Sequence, residues 1–276
     1  HYHYRSKITP HFNKPKNGKI GPIGFQQYGR RSLVDIDSCE IAKKDINTSL
    51  KKIRDDILEK ASSYKKGATI LIRSDINDQI HTSSDSIAEE VVEDIKFHFT
   101  AGSFFQNNPF ILNQFTKHVR NEAKSKKSKY LIDAYCGAGL FALTSASAFE
   151  EVTGIEISES SIFWAKKNLS NNSIDNVKFI TGEIEKFFEQ VSYKGNETSV
   201  IIDPPRKGCS ENFLQQLFVF KPQKVVYVSC NPATQMRDLN LFIENGYKLT
   251  RTQPFDLFPQ TRHLECIMTL EQSHTI

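Results

Sequence analysis

The segment YLIDAYCGAGLF, residues 130–141, combines an apolar strand, an acid and a Gly-x-Gly turn that opens a helix. Glycine permits a tight turn and a close approach of the backbone to a ligand, while the first turn of a helix offers free N–H groups. The pattern is typical of a nucleotide-like ligand, although a plain strand-to-helix turn fits the segment equally well when it is taken alone. The third glycine of a dinucleotide fingerprint is absent, which disfavours NAD.

Acidic residues follow the next two predicted strands. The segment GIEIS places Glu156 at a carboxyl end about 20 residues after the glycines, where an acid can accept hydrogen bonds from both ribose hydroxyls of an adenosine. Glu156 alone could equally cap a helix, but the glycine turn before it favours an adenosine site. Glu183 ends the segment VKFITGE, and it either faces the adenine or lies in solvent.

The chain changes character near residue 96. Strands and helices alternate after this point, as in EVTGIEIS followed by SSIFWAKKNLSNN, or VKFITG followed by a helix at 184–191. This alternation predicts an α/β domain over 96–276 with a parallel-dominated sheet and helices on both faces. Residues 1–95 instead combine hairpin-like segments with one amphipathic helix, which predicts a smaller, β-rich α+β domain.

The composition excludes several classes of protein. The 276 residues carry a net charge of +4, and no apolar run approaches the roughly 20 residues of a membrane span. The five cysteines show no CxxC spacing, which argues against a metal site or a disulfide framework and fits a reducing, intracellular compartment: cytoplasm, nucleus or mitochondrion. Basic residues cluster in KPKNGK (14–19), GRR (29–31) and KSKKSK (124–129). Such runs are usually solvated, and a polyanionic partner is the alternative.

The segment VIIDPPRKG, residues 200–208, delivers Asp203 to the C-terminal edge of the predicted sheet. Two prolines stiffen the turn that follows and leave no N–H group to satisfy. A rigid Asp-Pro-Pro beside an adenosine site is a feature of methyltransferases that act on planar nitrogen or on nucleobases. A loop that is merely stiffened is the less favoured interpretation.

The segment KVVYVSCNP, residues 224–232, places Cys230 directly after a buried strand. A single cysteine is usually a small buried hydrophobe, but Glu265 at the start of another apolar strand supplies a carboxylate partner. A thiol nucleophile and a base together suit methylation of an unactivated pyrimidine carbon. Thiolate addition at C6 makes C5 nucleophilic, and a base then removes the C5 proton so that the thiolate can leave.

Five ordered motifs resemble those of the RNA uracil-5-methyltransferases, with most likeness to the fungal-type tRNA (uracil-5-)-methyltransferases. The motifs are FFQNNP, DAYCGAGLF, DPPRKG, SCNPAT and FPQTRHLEC, and the likeness covers residues 97–276. It implies a Rossmann-like domain that uses S-adenosyl-L-methionine, preceded by an RNA-contacting region at 1–95. It also implies formation of 5-methyluridine in the T-loop of tRNA.

The resemblance assigns a role to each matched position. Cys230 matches the nucleophile, and Glu265 matches the proton-abstracting acid. The candidate contacts to S-adenosyl-L-methionine are Gln106, Tyr135, Glu156, Asp203 and Glu183, and the candidate contacts to the target base are Phe105 and Arg206. Leu140 departs from the pattern, because bacterial members often have Asn at this position.

The resemblance further implies that a T-loop uridine is turned outward to meet the thiol. Four phenylalanines are candidates for stacking on bases, although phenylalanine is by default a core residue: Phe104, Phe105, Phe255 and Phe258. We expect no metal, a missing N-terminal RNA-binding module and a monomer. Three alternatives stay open here: 5-methyluridine formation in rRNA, an amino-group methyltransferase with a structural Cys230, and a tRNA-binding or folding module with weak catalysis.

Overall fold

The computed structural model describes residues 1–184, 188 and 191–273. The chain forms two compact units, one of His1–Glu90 with His98–Phe110 and one of Val91–Phe97 with Ile111–Ile276. The predicted boundary between residues 95 and 96 falls inside a β-hairpin that contributes residues to both units. The assignment of RNA contact to residues 1–95 stays a prediction.

The first unit is built from short antiparallel strands and one helix. Its elements are β1 (Lys7–Ile8), β2 (His11–Phe12), β3 (Ile23–Gln26), β4 (Leu33–Asp35), α1 (Lys44–Glu59), β5 (Ala68–Thr69), β6 (Ile72–Ser74) and β7 (Ile80–His81), and the hairpin of β8 (Ile87–Val92) and β9 (Ile95–Thr100) is divided between the two units. The strands order as β4-β3-β2-β5 in one sheet and β1-β6-β7 in another.

Helix α1 supplies much of the core of this unit. Ile46 and Leu50 are fully buried on one of its faces, and they join Ile23 and Ile72 of the sheets in one apolar cluster. The opposite face of the helix is charged, which is the pattern of a helix that lies on a core. The predicted amphipathic helix is therefore present, with the apolar face inward.

The second unit is a seven-stranded sheet with helices. The elements are α2 (Pro109–Ala123), β10 (Tyr130–Ala134), α3 (Leu140–Ser145), β11 (Glu151–Glu156), α4 (Glu159–Asn171), β12 (Val177–Thr181), β13 (Thr198–Ile202), α5 (Glu211–Phe220), β14 (Lys224–Ser229), α6 (Pro232–Glu244), β15 (Tyr247–Phe255) and β16 (Glu265–Gln272). The strand order is β12-β11-β10-β13-β14-β16-β15, in which the first five strands are parallel and β16 runs antiparallel to both β14 and β15.

This architecture confirms the predicted α/β fold with a parallel-dominated sheet. The helix predicted at 184–191 lies largely outside the described residues, because 185–187 and 189–190 are not among them. The central strands are buried along most of their length, since helices cover both faces of a parallel sheet, and every residue of β13 is buried. Strand order reverses between β10 and β13, and ligands of such sheets bind at the carboxyl ends on either side of that reversal.

Candidate active site

The glycine turn after β10 has the open geometry of a ligand-binding turn. Gly137 (φ 53°) and Gly139 (φ 90°) both adopt left-handed backbone conformations, which glycine reaches without strain. A Cβ atom on Gly139 would lie 2.9 Å from the ring of Phe179, whereas one on Gly137 would meet no atom within 4 Å. Tyr135, a predicted cofactor contact, also has a left-handed backbone (φ 66°). The turn is therefore packed beneath Gly139 and open at Gly137.

Asp133 fixes this turn from below. The side chain is fully buried near the end of β10, and Oδ2 accepts a hydrogen bond of 2.8 Å from the backbone N–H of Ala142 in α3. Burial raises the pKa of Asp133 to about 8. This acid was visible in the sequence but received no role there. Its position near the end of the strand, just before the glycine turn, was the signal that could have found it.

Glu156 joins the glycine turn to the two neighbouring loops. Its carboxylate accepts hydrogen bonds from the N–H groups of Gly137 (3.2 Å) and Ser158 (2.9 Å). Its backbone carbonyl accepts from the N–H of Gly182 (3.1 Å), the residue before Glu183. A carboxylate has about four acceptor positions, so Glu156 keeps capacity for hydroxyl donors. The structure thus brings the glycine turn, Glu156 and the segment of Glu183 together.

Asp203 lies at the reversal of strand order. It follows β13, and its N–H donates to the carbonyl of Ala134 at the end of β10 (3.4 Å). Burial raises the pKa of Asp203 well above its ordinary value, and the carboxyl groups of Glu265 and Asp133 raise it further. Carboxyl groups with strongly raised pKa values, close to other acids, are typical of a functional site.

Cys230 lies between the last residue of β14 and the start of α6. Asn231 caps this helix, because its side chain accepts a hydrogen bond from the N–H of Ala233. Burial raises the pKa of the half-buried Cys230 thiol, and Glu265 raises it further. The Arg206 guanidinium acts in the opposite direction, through its charge and through a hydrogen bond to the thiol.

Glu265 is the first residue of β16 and is buried. The last pair of the β14–β16 ladder is Ser229 with Cys266. Cys230 directly follows β14 and Glu265 begins β16, so each is the next residue outward from this last pair, and opposing residues of an antiparallel pair lie about 5 Å apart. Burial raises the pKa of Glu265 to about 7, and the positive charge of Arg206 opposes this rise. The nucleophile and the base predicted from the sequence therefore come together.

Arg206 is exposed, and side chains of α6 and its cap hold its backbone. The Arg206 carbonyl accepts hydrogen bonds from Nδ2 of Asn231 (2.9 Å) and from Oγ1 of Thr234 (3.2 Å). One guanidinium nitrogen lies 3.5 Å from Nδ1 of His263. These contacts connect the Asp-Pro-Pro loop, the cysteine loop and the segment before Glu265.

Asp238 anchors the far end of the Asp-Pro-Pro loop, a role that was missed in the sequence. This fully buried carboxylate on α6 accepts from the Tyr227 hydroxyl (2.6 Å) and from the Cys209 N–H (3.0 Å). Arg237 donates to its other oxygen through Nε (2.8 Å). The only sequence signal was an acid on the inward face of an amphipathic helix.

Phe105 and Gln106 belong to the first unit. Phe105 is buried and stacks on Phe99 with ring centroids 4.2 Å apart, and the Arg73 guanidinium lies 4.9 Å from the centroid of Phe99. Gln106 is also buried, whereas Phe104 is 74% exposed. The ring of Phe105 thus has a packing role, and its predicted contact to the base stays a prediction, as does the cofactor contact of Gln106.

Neither a metal cluster nor a membrane-spanning helix occurs among the described residues. Within residues 1–184, 188 and 191–273, no group of three or more His, Cys, Asp or Glu side chains is placed to hold a metal ion. Across the same part of the chain, every helix is too short or too polar to cross a membrane.

Comparisons of the sequence identify related proteins. The family described as tRNA (Uracil-5-)-methyltransferase matches residues 40–273. A tRNA (uracil(54)-C(5))-methyltransferase of Schizosaccharomyces pombe is 44% identical over 98% of this chain and 54% of its own length. The Saccharomyces cerevisiae protein of the same name is 38% identical over 96% of this chain and 52% of its own length. The chain thus spans about half the length of these curated relatives.

Solved structures share the fold. The Pyrococcus abyssi tRNA (uracil-54, C5)-methyltransferase in complex with S-adenosyl-L-homocysteine matches with a TM-score of 0.77 at 23% identity, over 98% of this chain and 76% of that one. The M. jannaschii TYW2 in complex with AdoMet matches with a TM-score of 0.51 at 17% identity, over 74% and 94% of the two chains. These likenesses confirm the Rossmann-like methyltransferase fold. The family match and the fungal relatives show that the chain belongs to the tRNA (uracil-5-)-methyltransferase family.

Proposed function

We propose that the protein transfers a methyl group from S-adenosyl-L-methionine to C5 of a uridine in tRNA, with Cys230 as nucleophile and Glu265 as base. The observation that carries this proposal is the position of the two residues at the adjacent ends of β14 and β16. The positive charge of Arg206 acts to lower the pKa of both side chains. A family of RNA uracil methyltransferases needs such a pair, because C5 of uracil is too weak a nucleophile by itself.

The residues around the glycine turn fit S-adenosyl-L-methionine. The open space at Gly137 admits a ligand close to the backbone, and Glu156 keeps acceptor capacity for ribose hydroxyls. Glu183 and Asp203 follow strands whose carboxyl ends share one edge of the sheet, where they would line the rest of the site. When bound, the cofactor supplies an electrophilic methyl group.

The first half of the reaction uses Cys230 and Arg206. The Cys230 thiolate adds to C6 of uracil, and the electron pair of the C5–C6 double bond moves towards C5 and the O4 carbonyl. Because burial disfavours the thiolate, the positive charge and the hydrogen bond of Arg206 are what favours it. C5 is then nucleophilic enough to accept the methyl group.

The second half uses Glu265. After C5 has gained the methyl group, the Glu265 carboxylate removes the remaining C5 proton, the C5–C6 double bond re-forms, and the Sγ–C6 bond breaks. A carboxyl group with a pKa of about 7 is poised for this step near neutral pH, since it is a stronger base than an ordinary glutamate and still partly ionised.

The names of the relatives support tRNA as the substrate. The two fungal relatives and the P. abyssi structure all carry names that specify uracil-54 and C5 of tRNA. We therefore favour a tRNA uridine at that position over a uridine in rRNA. The residues of the candidate site support the proposed chemistry, and the names of the relatives support the choice of tRNA as the substrate.

The test is trapping with tRNA that contains 5-fluorouridine, because fluorine at C5 leaves no proton for the base to remove. We expect the wild-type chain to form a covalent complex that survives denaturation, and Cys230→Ala to form none. Cys39→Ala, a change at a half-buried cysteine of the first unit, is the matched control and should behave as wild type. Full methyl transfer to ordinary tRNA by Cys230→Ala would favour an amino-group methyltransferase. The cysteine mechanism would be refuted if the wild-type chain methylated ordinary tRNA fully but formed no covalent complex with the 5-fluorouridine tRNA.

A further inference from the structure

We propose that the tip of the β3–β4 hairpin, residues 27–32, binds RNA, with Tyr28 stacked on an unpaired base and Arg30 and Arg31 on adjacent phosphates. The sequence of this tip is QYGRRS, and it contains one of the basic clusters that the chemistry of the active site does not use. The identity of the RNA as tRNA rests on the proposed function.

The backbone of the tip is fixed by hydrogen bonds of its own. The Gln27 N–H donates to the Ser32 carbonyl (2.8 Å), and the Arg30 N–H donates to the Gln27 carbonyl (3.1 Å). Side chains add two more bonds, from Nε2 of Gln26 to the Arg30 carbonyl (3.1 Å) and from Oγ of Ser32 to Oε1 of Gln27 (3.0 Å). Gly29 supplies the left-handed residue of the turn (φ 71°). The tip is therefore an ordered platform.

The platform presents an aromatic ring and two cations to solvent. Tyr28 is 81% exposed, and Arg30 and Arg31 are exposed as well. The two guanidinium groups form no ion pair with any acid in the described part of the chain. The acids nearest to them along the chain, Asp35 and Asp37, are paired instead with Arg54, at 2.9 and 3.3 Å. Among the described residues, the positive charge of the tip is thus uncompensated within the unit.

Binding of RNA gives a physical reason for this exposed arrangement. An exposed aromatic ring contributes little to the core of its own unit, whereas stacking of unpaired bases on aromatic side chains is a common mode of recognition of RNA loops. Guanidinium groups match phosphate oxygens in a fixed fork geometry. A stable protein interface needs about 800 Å² from each partner, far more than a six-residue tip offers.

The test measures tRNA binding by the full 276-residue chain at several salt concentrations. We expect Tyr28→Ala to weaken binding by about 5- to 150-fold, the range found for loss of one stacked base, and Tyr28→Phe to stay within about threefold of wild type because the ring is kept. The double variant Arg30→Gln/Arg31→Gln should lower the slope of log K against log salt by about 1.4, the value for two single-strand phosphate contacts. In steady state the tip variants should raise KM and leave kcat unchanged.

The matched control removes the same charge elsewhere. Lys126→Gln/Lys127→Gln changes two exposed lysines of the basic run at 124–129, and we expect its salt slope to equal that of the wild type. The proposal would be overturned if the lysine control lost as much tRNA affinity and salt slope as the arginine variant, or if the tip variants bound tRNA with wild-type affinity. If the tip variants lost binding to phosphatidylserine vesicles but kept wild-type affinity for tRNA, the tip would be assigned to a membrane surface, and the proposal would also be overturned. Trapping with 5-fluorouridine tests the proposed function separately, because it depends on Cys230 and not on the tip.

Discussion

Replacement of Glu265 by glutamine should stabilise the protein at alkaline pH while it blocks completion of the reaction. The side chain is 6% exposed, and burial raises its pKa from an ordinary 4.5 to about 7. The folded state therefore holds the proton more tightly than the unfolded state does. Stability is unaffected below about pH 4.5, falls as the pH rises towards 7, and then stays lower by about 3 kcal/mol, at about 1.4 kcal/mol for each pH unit between the two values.

The neutral amide introduced by Glu265→Gln does not titrate, so the variant escapes this loss. We expect the stability difference between variant and wild type to grow by about 2.5 kcal/mol from about pH 5 to about pH 8, measured by urea denaturation at each pH. The control is Glu244→Gln at the exposed end of α6, for which the difference should stay within about 0.5 kcal/mol at both pH values. With tRNA and cofactor, Glu265→Gln should accumulate the covalent adduct.

A stability difference between Glu265→Gln and wild type that is the same at both pH values would contradict this prediction. Such a result would mean that the Glu265 carboxyl titrates alike in the folded and unfolded states, and that burial does not tune it as a base. A variant that turned over at the wild-type rate would refute the assigned role independently, because the C5 proton would then leave by another route.

Two further predictions concern the loops that carry the site. Asp238→Ala should lower the free energy of unfolding by about 3 kcal/mol, because the buried Tyr227 hydroxyl and the Cys209 N–H lose their acceptor, and it should lower kcat because the loop is displaced. Tyr227→Phe is the milder control. A urea midpoint for Asp238→Ala equal to that of the wild type would contradict the anchoring role. Gly139→Ala should destabilise the fold by about 2 to 4 kcal/mol, and Gly137→Ala by only about 1 to 2 kcal/mol. Both substitutions strain a left-handed backbone, but only the alanine at 139 also clashes with Phe179. Thermal melts that show the reverse order would contradict the packing described for the turn.

The alternation of strands and helices was enough to predict the parallel sheet, because parallel neighbours need a crossover connection and a helix usually provides it. It was also enough to place Glu156, Asp203 and Cys230 at one edge, since carboxyl ends of parallel strands share an edge. The β16 strand is different. Its insertion between β14 and β15 is a tertiary pairing that no local pattern encodes, so the expectation that Cys230 and Glu265 act together rested on chemistry and family resemblance and not on periodicity.

Other parts of the site were beyond the sequence for a similar reason. Asp238 supports a loop about 30 residues earlier in the chain, and only the folded packing of α6 against that loop reveals the contact. Phe105 stands in a motif typical of base contact, yet its ring is stacked on Phe99 within the first unit. A sequence motif reports which side chains occur together, but not which of them the core uses.

The ladder between β14 and β16 has a consequence for how this fold can diversify. The pairing from Lys224 with Glu271 to Ser229 with Cys266 sets the register of the two strands, so the spacing of the proposed nucleophile Cys230 and the proposed base Glu265 is held by backbone hydrogen bonds. Residues 256–264, which join β15 to β16, do not take part in this ladder. Insertions or deletions there would change the surface beside the candidate site without shifting Cys230 relative to Glu265, so substrate preference and reaction chemistry could evolve independently.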